Sequence, residues 1–253
     1  MYKRVIPILL LMNSGLYKGV KFKNYKYVGD PINTIRIFND KEVDELFLFD
    51  IRATNNGRIP DIELIKRIAD ECYMPFGVGG GIRTIDDIKS IIQAGAEKVS
   101  LNTSIINDLD LIKEASETFG SQSIVVTIDY KKGFFSKSFV YTHSGKKKYS
   151  IDPVEWAKTV EIMGAGEIII NSIDRDGTGN GLDLELIGRI ANAVNLPVIA
   201  SGGVGSYSDI MQGIAIEGVT AVGVGSFFVF NRSHRSVLIN YPSNNELKKL
   251  FNI

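Results

Sequence analysis

Eight short apolar runs recur along the chain, and each is followed by a turn and an amphipathic stretch of helical periodicity. The runs consist almost entirely of Val, Ile, Leu and Phe, which is typical of strands buried on both faces of a parallel sheet. This alternation predicts an α/β fold, a (β/α)₈ TIM barrel forming a single domain over residues 1–253. An open, doubly wound sheet is the competing topology. The predicted strands lie near residues 5–11, 45–51, 74–78, 97–102, 122–129, 166–171, 196–200 and 219–224.

An internal repeat favours the barrel over the open sheet. Residues 80–88 align with residues 202–210, and both copies begin with a glycine pair. A repeat that occurs only twice is not a solenoid, but it fits two half-barrels that together close one barrel. We therefore predict half-barrels at about residues 1–121 and 122–253.

One segment departs from the repeat. Residues 133–149 alternate between apolar and polar side chains and carry Ser144 and Gly145 at their centre. Alternation around such a turn predicts a β-hairpin, inserted after the fifth barrel strand.

The composition excludes several classes of protein and site. The 29 basic and 29 acidic side chains balance, so we expect no nucleic-acid-binding surface, which needs a basic excess. A single cysteine, Cys72, excludes an internal disulfide and fits a reducing compartment, which predicts a cytoplasmic protein. Cys72 and the two histidines, His143 and His234, are too few for a thiol or imidazole metal site, and we expect neither metal nor cofactor. The apolar run at residues 5–12 is too short to cross a bilayer, and no signal-peptide cleavage site follows it.

Two glycine-rich turns predict phosphate binding. Residues 78–83 and 201–205 each end a predicted strand and precede a helix. Glycine lets the backbone approach a ligand closely, and the N–H groups of a helix N-terminus attract an anion. Tight turns alone would also explain these glycines, but two symmetric copies favour a ligand with a phosphate at each end. The candidate residues are Gly80, Gly81, Asn102, Thr103, Ser201, Gly202, Gly203 and Ser226.

Carboxylates that end apolar strands are the candidates for proton transfer. Asp129 ends the fifth strand, Asp50 ends the second, and Asp176 follows the sixth. Catalytic residues of barrels come from this end of the strands, so Asp129 is the best candidate for a general acid or base. Asp176 with Gly177 also fits a simple turn. In the half-barrel alignment Leu10 takes the position equivalent to Asp129, so an acid–base partner across the barrel mouth is missing.

Four charged side chains lie at predicted strand starts, at the bottom of the barrel. They are two bases and two acids, namely Arg4, Glu45, Lys98 and Glu167. Two interpretations remain open. The charges form weak surface salt bridges, which patterning alone favours, or they form a neutralised ring that gates the barrel axis.

With these residues in view, the sequence resembles the HisF family, the cyclase subunits of imidazole glycerol phosphate synthase, over essentially its whole length. The matching segments are residues 18–19, 29–31, 44–46, 78–83, 98–100, 119–122, 155–157, 164–167, 174–178 and 200–203, together with Asp129. The resemblance implies a (β/α)₈ barrel with a glutaminase subunit, HisH, docked beneath it. It also implies that ammonia from the glutaminase passes through the barrel and reacts with a bisphosphorylated ribosyl substrate. The implied products are imidazole glycerol phosphate and an aminoimidazole carboxamide nucleotide.

The resemblance assigns roles to individual residues. Asp129 matches one of two catalytic aspartates, and Lys18 matches the lysine of the mobile first loop. The two phosphate sites of the family correspond here to Gly81, Asn102 and Thr103 and to Gly177, Gly203 and Ser226. The gate through which ammonia enters corresponds to Arg4, Glu45, Lys98 and Glu167, which reverses the interpretation that patterning favoured.

The sequence also departs from the family pattern. Leu10 stands at the other catalytic aspartate, and Gly77 and Asn171 stand where the cyclase usually carries threonine. From Phe230 onward the match is poor. Because losing one member of an acid–base pair costs about 10² to 10⁴ in rate, we do not expect a fully competent cyclase.

A branch of HisF-like proteins from surface-polysaccharide and flagellar-sugar pathways resembles this chain in its leucine-rich first strand and in residues 21–31. The resemblance implies that the barrel and a HisH-like glutaminase supply ammonia to a sugar amidotransferase, which builds an acetamidino group. We therefore predict an ammonia-conducting subunit with a phosphorylated small molecule at its mouth. Two alternatives stay open, a genuine cyclase of histidine biosynthesis and a phosphate-ligand sensor that regulates the glutaminase.

Overall fold

The computed structural model describes residues 3–133, 137–231 and 236–251. Its strands are β1 (Arg4–Met12), β2 (Gly15–Val20), β3 (Lys23–Gly29), β4 (Leu46–Asp50), β5 (Phe76–Gly79), β6 (Lys98–Leu101), β7 (Ile124–Lys132), β8 (Ser138–Thr142), β9 (Lys147–Lys148), β10 (Glu167–Ser172), β11 (Val198–Ser201) and β12 (Val219–Val224). Its α-helices are α1 (Pro31–Asp40), α2 (Ile62–Glu71), α3 (Ile85–Gln93), α4 (Asp110–Phe119), α5 (Pro153–Ile162), α6 (Leu184–Ala191), α7 (Tyr207–Ile214), α8 (Ser226–Val229) and α9 (Asn244–Phe251).

Eight of the strands close into a parallel barrel. The strand β1 pairs with both β12 and β4, and β7 pairs with both β6 and β10. The order around the barrel is β1, β4, β5, β6, β7, β10, β11 and β12. This closure confirms the predicted (β/α)₈ barrel and excludes the open sheet. Each predicted apolar run coincides with one barrel strand.

Side-chain caps fix where the helices begin. Asp61 accepts a hydrogen bond from the backbone N–H of Glu63 at 3.0 Å, ahead of α2. Thr84 and Asp87 form a reciprocal capping box ahead of α3. Because each helix follows the carboxyl end of a strand, these caps hold the helix N-termini on the same side as the barrel mouth.

Apolar side chains form two separate clusters. The larger one lies between the barrel and its helices and includes Phe38, Ile65 and Ile112. The smaller one fills the barrel interior and consists of Ile6, Ile8, Leu10, Phe47, Val125, Ile169, Ile199 and Ala221. The strands are therefore apolar on both faces, which explains why their sequences are continuous apolar runs.

Two antiparallel hairpins extend from the carboxyl ends of barrel strands. The predicted one follows β7, where β8 pairs with both β7 and β9. Its turn has positive φ at His143, Ser144 and Gly145. Residues 134–136 of the predicted segment lie outside the described residues. The other hairpin, β2 with β3, follows β1 directly and was not predicted.

The C-terminal segment closes the molecule near β1. The hydroxyl of Tyr241 donates a hydrogen bond to the backbone oxygen of Val5 at 2.9 Å. Residues 232–235 and 252–253, which include His234 and belong to the poorly matching region after Phe230, lie outside the described residues. Of the helices that the structure describes, none has the length and apolar character needed to span a bilayer. The half-barrel boundary near residue 121 stays a prediction.

Candidate functional site at the barrel mouth

A cavity of about 460 Å³ opens at the carboxyl ends of the barrel strands. Every residue predicted for the mouth lines it, because all loops from strand to helix meet at this end of a barrel. The predicted residues in the lining are Leu10, Lys18, Asp50, Gly80, Gly81, Asn102, Thr103, Asp129, Asp176, Gly177, Ser201, Gly202, Gly203 and Ser226. The structure thus brings them together in one place.

Two asparagines hold the carboxyl group of Asp129. Asn171 lies opposite Asp129 in the pairing of β10 with β7, and its Nδ2 donates a hydrogen bond to Oδ1 at 2.8 Å. Asn102 Nδ2 donates to the other carboxyl oxygen, Oδ2, at 2.9 Å. With one amide on each oxygen, the carboxyl group is fixed in a single orientation at the cavity wall.

The environment of Asp129 suits proton transfer. Burial raises the pKa of Asp129 to about 7, against the opposing effect of the hydrogen bonds from Asn171 and Asn102, and with a further increase from nearby Asp176. A carboxyl group whose pKa lies near ambient pH is matched to general acid or base chemistry.

The side of the mouth that faces Asp129 is apolar. Leu10 lies on β1, four strands away from β7 in the barrel order and therefore on the opposite wall. It belongs with Ile8 to the apolar cluster of the barrel interior, against which the half-buried Tyr25 and Phe49 pack. A leucine neither transfers a proton nor stabilises developing charge, so Asp129 has no acid–base partner at this position.

The β2–β3 hairpin delivers Lys18 into the cavity. Lys18 is only 3% exposed; burial lowers the pKa of its ammonium group, and Asp176 partly offsets that effect. Burial raises the pKa of Asp176, and Lys18 opposes this shift. The backbone N–H of Lys21 donates to the backbone oxygen of Asp176 at 2.8 Å, and a Cβ at Gly177 would lie 2.2 Å from the oxygen of Gly19. The hairpin is therefore docked directly on the loop that follows β10.

Close loop packing requires the glycines of the two predicted cradles. Gly81 and Gly203 both have positive φ, at 73° and 119°. A Cβ at Gly81 would lie 1.9 Å from the oxygen of Arg58, and a Cβ at Gly203 would lie 2.2 Å from the oxygen of Gly181. Backbone packing accounts for these glycines without a ligand, so they do not by themselves identify a phosphate site.

Two serine hydroxyls indicate a ligand more directly. The Oγ atoms of Ser104 and Ser226 are buried in the cavity lining and make no hydrogen bond to any residue that the structure describes. A buried hydroxyl without a partner costs about 1–3 kcal/mol, which an acceptor oxygen of a ligand would recover. Ser226 was predicted. Ser104 was not, although it directly follows the predicted pair Asn102 and Thr103.

Asp50 is engaged by its own loop. Its Oδ1 accepts hydrogen bonds from the backbone N–H groups of Arg52 at 2.9 Å and Ala53 at 3.0 Å. Arg58 Nη1 lies 2.6 Å from the other oxygen, Oδ2. These bonds organise the turn after β4, and the predicted contact of Asp50 with a ligand stays a prediction.

The four charges at the barrel floor form a closed ring, which we call the floor ring. Arg4 donates to both Glu45 and Glu167. Lys98 Nζ lies 2.6 Å from Glu45 Oε1, as an ion pair without hydrogen-bond alignment, and donates to Glu167 Oε2 at 2.7 Å. The carboxylate side chains of Glu45 and Glu167 are 5% exposed. Burial alone would lower the pKa of the Arg4 guanidinium, but the charges of Glu167 and Glu45 outweigh this effect and raise that pKa. The ring therefore consists of buried carboxylates paired with half-buried bases, rather than of the separate surface salt bridges that patterning favoured.

Part of the cavity wall was not predicted from the sequence. The additional lining includes Phe22, Tyr25, Arg58, Arg83, Ser104, His143 and Lys147. Burial raises the pKa of Tyr25 to about 12, and burial together with Lys147 and Lys146 lowers the pKa of His143, so both are neutral at pH 7. Most of these residues come from the hairpins and from the loop after β4, where the strand pattern carries no signal.

The residues that the structure describes contain no group of three His, Cys, Asp or Glu side chains arranged to hold a metal ion. The polar groups of the mouth are instead amides, hydroxyls, basic side chains that include the buried Lys18, and three buried carboxyl groups, those of Asp50, Asp129 and Asp176.

Comparison with known proteins shows the family. The family described as "Histidine biosynthesis protein" matches residues 4–234. The chain is 51% identical to a Pseudomonas aeruginosa protein named "Putative imidazole glycerol phosphate synthase subunit hisF2" over 245 residues, which cover 97% of this chain and 98% of that protein. It is 45% identical over 247 residues to a Vibrio vulnificus protein with the same name for subunit hisF3, with 97% of this chain and 95% of that protein covered. It is 42% identical over 249 residues to a Leptospira interrogans protein with the same name for subunit HisF, with 98% of each covered. The chain belongs to the HisF family.

The structure gives a physical setting to each departure from the HisF cyclase pattern. Asn171 is one of the two amides that hold Asp129. Gly77 makes room for the ring of Phe47 in the barrel interior. Leu10 belongs to the apolar cluster of that interior. All three departures therefore lie inside the barrel, between the floor ring and the mouth cavity or at the cavity wall.

Proposed function

We propose that this HisF-family barrel receives ammonia from a HisH-like glutaminase and conducts it along the barrel axis within a glutamine-dependent amidotransferase complex. The contrast between the two ends of the barrel carries this proposal. All four charges of the floor ring are paired and its two carboxylates are buried, whereas the mouth has Leu10 on the wall opposite Asp129 in place of the second catalytic carboxyl group of the family. An intact entrance beneath an incomplete acid–base pair favours delivery of ammonia over cyclisation.

Two exposed apolar side chains support a partner at the floor. Tyr73, between α2 and β5, is 88% exposed, and Ile162, the last residue of α5, is 83% exposed. Connections that lead from a helix into the next strand lie at the floor of a barrel. Large apolar side chains exposed on one face are typical of protein interfaces. We infer that the glutaminase covers this face.

The barrel interior suits neutral ammonia. The apolar cluster that includes Phe47 and Ile169 lies between the floor ring and the mouth. At the level of Ile169, which is the register partner of Thr127, Ser100 Oγ and Thr127 Oγ1 form a hydroxyl pair 2.7 Å apart that lines the cavity. Moving an ion through an apolar layer is costly, whereas a small neutral molecule pays far less. This route would therefore deliver ammonia rather than ammonium.

We further propose that the nitrogen is used for acetamidino modification of a surface sugar by a sugar amidotransferase in the cytoplasm. Similarity to the sugar-pathway branch of HisF-like proteins supports this acceptor. In this proposal the mouth cavity holds a phosphorylated small molecule, supported by the two partnerless hydroxyls, Ser104 and Ser226.

The test follows nitrogen in a complex of this chain, a HisH-like glutaminase and a sugar amidotransferase. Parallel reactions receive glutamine or ammonium chloride, because dissolved ammonia bypasses the barrel. Glu167→Ala, which opens the floor ring, should lower the amidated sugar formed per glutamine hydrolysed and leave the ammonium-driven product unchanged. Glu63→Ala is the control, since it breaks an ion pair with Lys66 that is exposed on α2, away from the floor face. Equal product per glutamine in all three proteins would refute conduction through the ring.

One observation favours the cyclase of histidine biosynthesis as a second candidate. Asp129 keeps a pKa of about 7 in a cavity of about 460 Å³, and it would act alone or with Asp176. Complementation of a histidine auxotroph that lacks the cyclase separates the candidates. Growth would establish cyclase activity and exclude conduction as the exclusive role, whereas no growth despite soluble, folded protein would count against the cyclase.

A further inference from the structure

Two segments of the chain carry positive charge that no acidic residue within them balances. Residues 15–29, which form the β2–β3 hairpin, and residues 130–149, which contain the β8–β9 hairpin, together carry ten lysines and no acidic residue. Because 29 basic and 29 acidic side chains balance over the whole chain, the remainder carries an excess of ten acidic side chains. Both segments extend from the mouth, so a protein without net charge presents a basic surface there.

The two hairpins meet over the cavity and form one surface. A Cβ at Gly145, in the turn between β8 and β9, would lie 3.1 Å from Cδ2 of Phe22 in the other hairpin. The same turn is tied to the barrel loops, because the N–H of His143 donates to Thr103 Oγ1 at 3.2 Å and Ser144 Oγ donates to the oxygen of Ile51 at 3.1 Å. The lysines are therefore carried on a fixed platform rather than on separate tails.

Most of these lysines lie outside the cavity. Lys18 and Lys147 line it, whereas a second group, which we call the lysine crown, is exposed on the hairpins around it. The lysine crown consists of Lys21, Lys23, Lys26, Lys146 and Lys148. Lys132 is not counted in it, because its ammonium group is ion-paired with the buried Asp183 at 3.0 Å. A small ligand inside the cavity contacts the lining, so the lysine crown matches an anionic surface that is broader than the cavity.

Contacts within the β8–β9 hairpin favour a protein over a nucleic acid as the partner that presents this anionic surface. Lys148 Nζ lies 3.6 Å from the ring centroid of Phe139, and Lys131 Nζ lies 4.6 Å from that of Tyr141. Single-stranded nucleic acids bind by stacking bases on open aromatic faces. Here lysines of the same hairpin cover one face of these rings, which leaves charge rather than stacking as the means of recognition.

We propose that the lysine crown docks an acidic face of the enzyme that takes up the ammonia, so that this enzyme sits on the mouth while the glutaminase sits on the floor. The inference rests on the proposed function, since it names the surface where the acceptor enzyme binds. Electrostatic complementarity of this kind speeds association and fixes the orientation of the partners. It would also seal the mouth, so that ammonia leaving the barrel passes to the acceptor without entering solvent.

The experiment compares two fourfold charge reversals in the full-length chain. The crown variant changes Lys23, Lys26, Lys146 and Lys148 to Glu. The control variant makes the same change in net charge on the outer helices, at Lys66, Lys89, Lys113 and Lys158. Binding to the purified sugar amidotransferase is measured by biolayer interferometry at low and high salt, together with glutamine hydrolysis by the complex with glutaminase.

We expect the crown variant alone to lose binding, by about 10² or more in Kd, and the binding of the parent to weaken as salt increases. Glutamine hydrolysis should be the same in all three proteins. Equal binding by the crown and control variants would overturn the proposal. So would selective retention by the parent, but not the crown variant, of a 20-nucleotide RNA or of vesicles containing anionic lipid, because either result assigns the surface to another class of partner.

The outcome is separable from that of the proposed function. Crown-dependent binding without transfer of nitrogen from glutamine would leave the docking surface standing and refute conduction. Transfer from glutamine that is unaffected by the crown variant would support conduction and refute the docking surface.

Discussion

The ring of Phe47 occupies the space that a side chain at Gly77 would need. The two residues are paired across β4 and β5, and a Cβ at Gly77 would lie 2.2 Å from Phe47 Cε1. Two residues further along the same strands, a Cβ at Gly79 would lie 2.6 Å from the ring of Phe49. The rings of Phe47 and Phe49 stack with their centroids 5.9 Å apart. The barrel axis thus holds an aromatic pair that only glycine neighbours allow, which explains why threonine is absent at position 77.

Enlarging residue 77 should destabilise the fold less when residue 47 is made smaller at the same time. We expect Gly77→Thr to lower the free energy of unfolding by about 1–3 kcal/mol through overpacking. Adding Phe47→Val should recover part of that loss, because the smaller side chain vacates the space. Urea denaturation measures Gly77→Thr, Phe47→Val and the double variant. Gly188→Ala is the control, since a Cβ at Gly188 would lie 4.0 Å from Cγ2 of Ile216. Losses that simply add in the double variant would show that the two positions do not compete for one space.

The burial of Asp129 predicts a dependence of stability on pH. Its pKa is raised to about 7, so the folded chain holds this proton more tightly than the unfolded chain, and stability falls as pH rises from about 4 to 7. Asp129→Asn removes the ionisation, and its free energy of unfolding relative to the parent should increase over this range by up to about 4 kcal/mol.

Urea denaturation at pH 4, 6 and 8 checks the expectation for Asp129. Asp61→Asn serves as the control, because asparagine also caps a helix at this exposed position. A constant difference between Asp129→Asn and the parent at all three pH values would contradict the raised pKa.

Removing a buried hydroxyl that has no hydrogen-bond partner should weaken ligand binding without destabilising the fold. Ser226→Ala and Ser104→Ala should leave the free energy of unfolding unchanged or raise it by up to about 1 kcal/mol, because a buried polar group without a partner is lost. Both should weaken the binding of a bisphosphorylated nucleotide about tenfold in isothermal titration, with inorganic phosphate as the single-anion comparison. Ser100→Ala, which removes a hydroxyl bonded to Thr127, should instead destabilise the fold. Unchanged nucleotide affinity in both serine variants would exclude these hydroxyls as ligand contacts.

Restoring the carboxyl group tests how far the mouth has diverged from a cyclase. Leu10→Asp should gain ammonia-dependent cyclase activity about 10² above that of Leu10→Asn, which has the same shape without the proton-transfer group. The aspartate also introduces a charge into the apolar wall around Ile8 and Phe49, so the variant should be less stable than the parent. Equal activity in the two variants would mean that Gly77, Asn171 or the loops also prevent the chemistry.

The barrel was predictable because its strands are apolar on both faces, so their sequence pattern is strong and local. The β2–β3 hairpin was missed because its side chains are partly exposed and its lysines and tyrosines do not alternate cleanly. Its importance depends on where it docks, which is a long-range property: Lys18 reaches the cavity only because Lys21 and Gly19 contact the loop after β10.

The site was predictable where a residue lies at the carboxyl end of a barrel strand. Asp50 ends β4 and Asn102 directly follows β6, whereas β7 continues past Asp129 to Lys132 as part of the hairpin with β8. Contacts between side chains of the loops could not be predicted. Nothing in the sequence pairs Arg58 with Asp50, or leaves the hydroxyl of Ser104 without a bond, because both depend on how separate loops pack. The glycine-rich turns show that a sequence pattern can also indicate more than it proves. Packing against Arg58 and Gly181 requires these glycines even in a barrel that binds no phosphate.

Lys18 belongs to a hairpin and not to the barrel wall, so the cavity has its buried cation only while that hairpin is docked. A ligand in the cavity can contact this cation only in the docked state. Changes at the Gly19–Gly177 contact would therefore weaken the hold on an anionic ligand without touching the ligand.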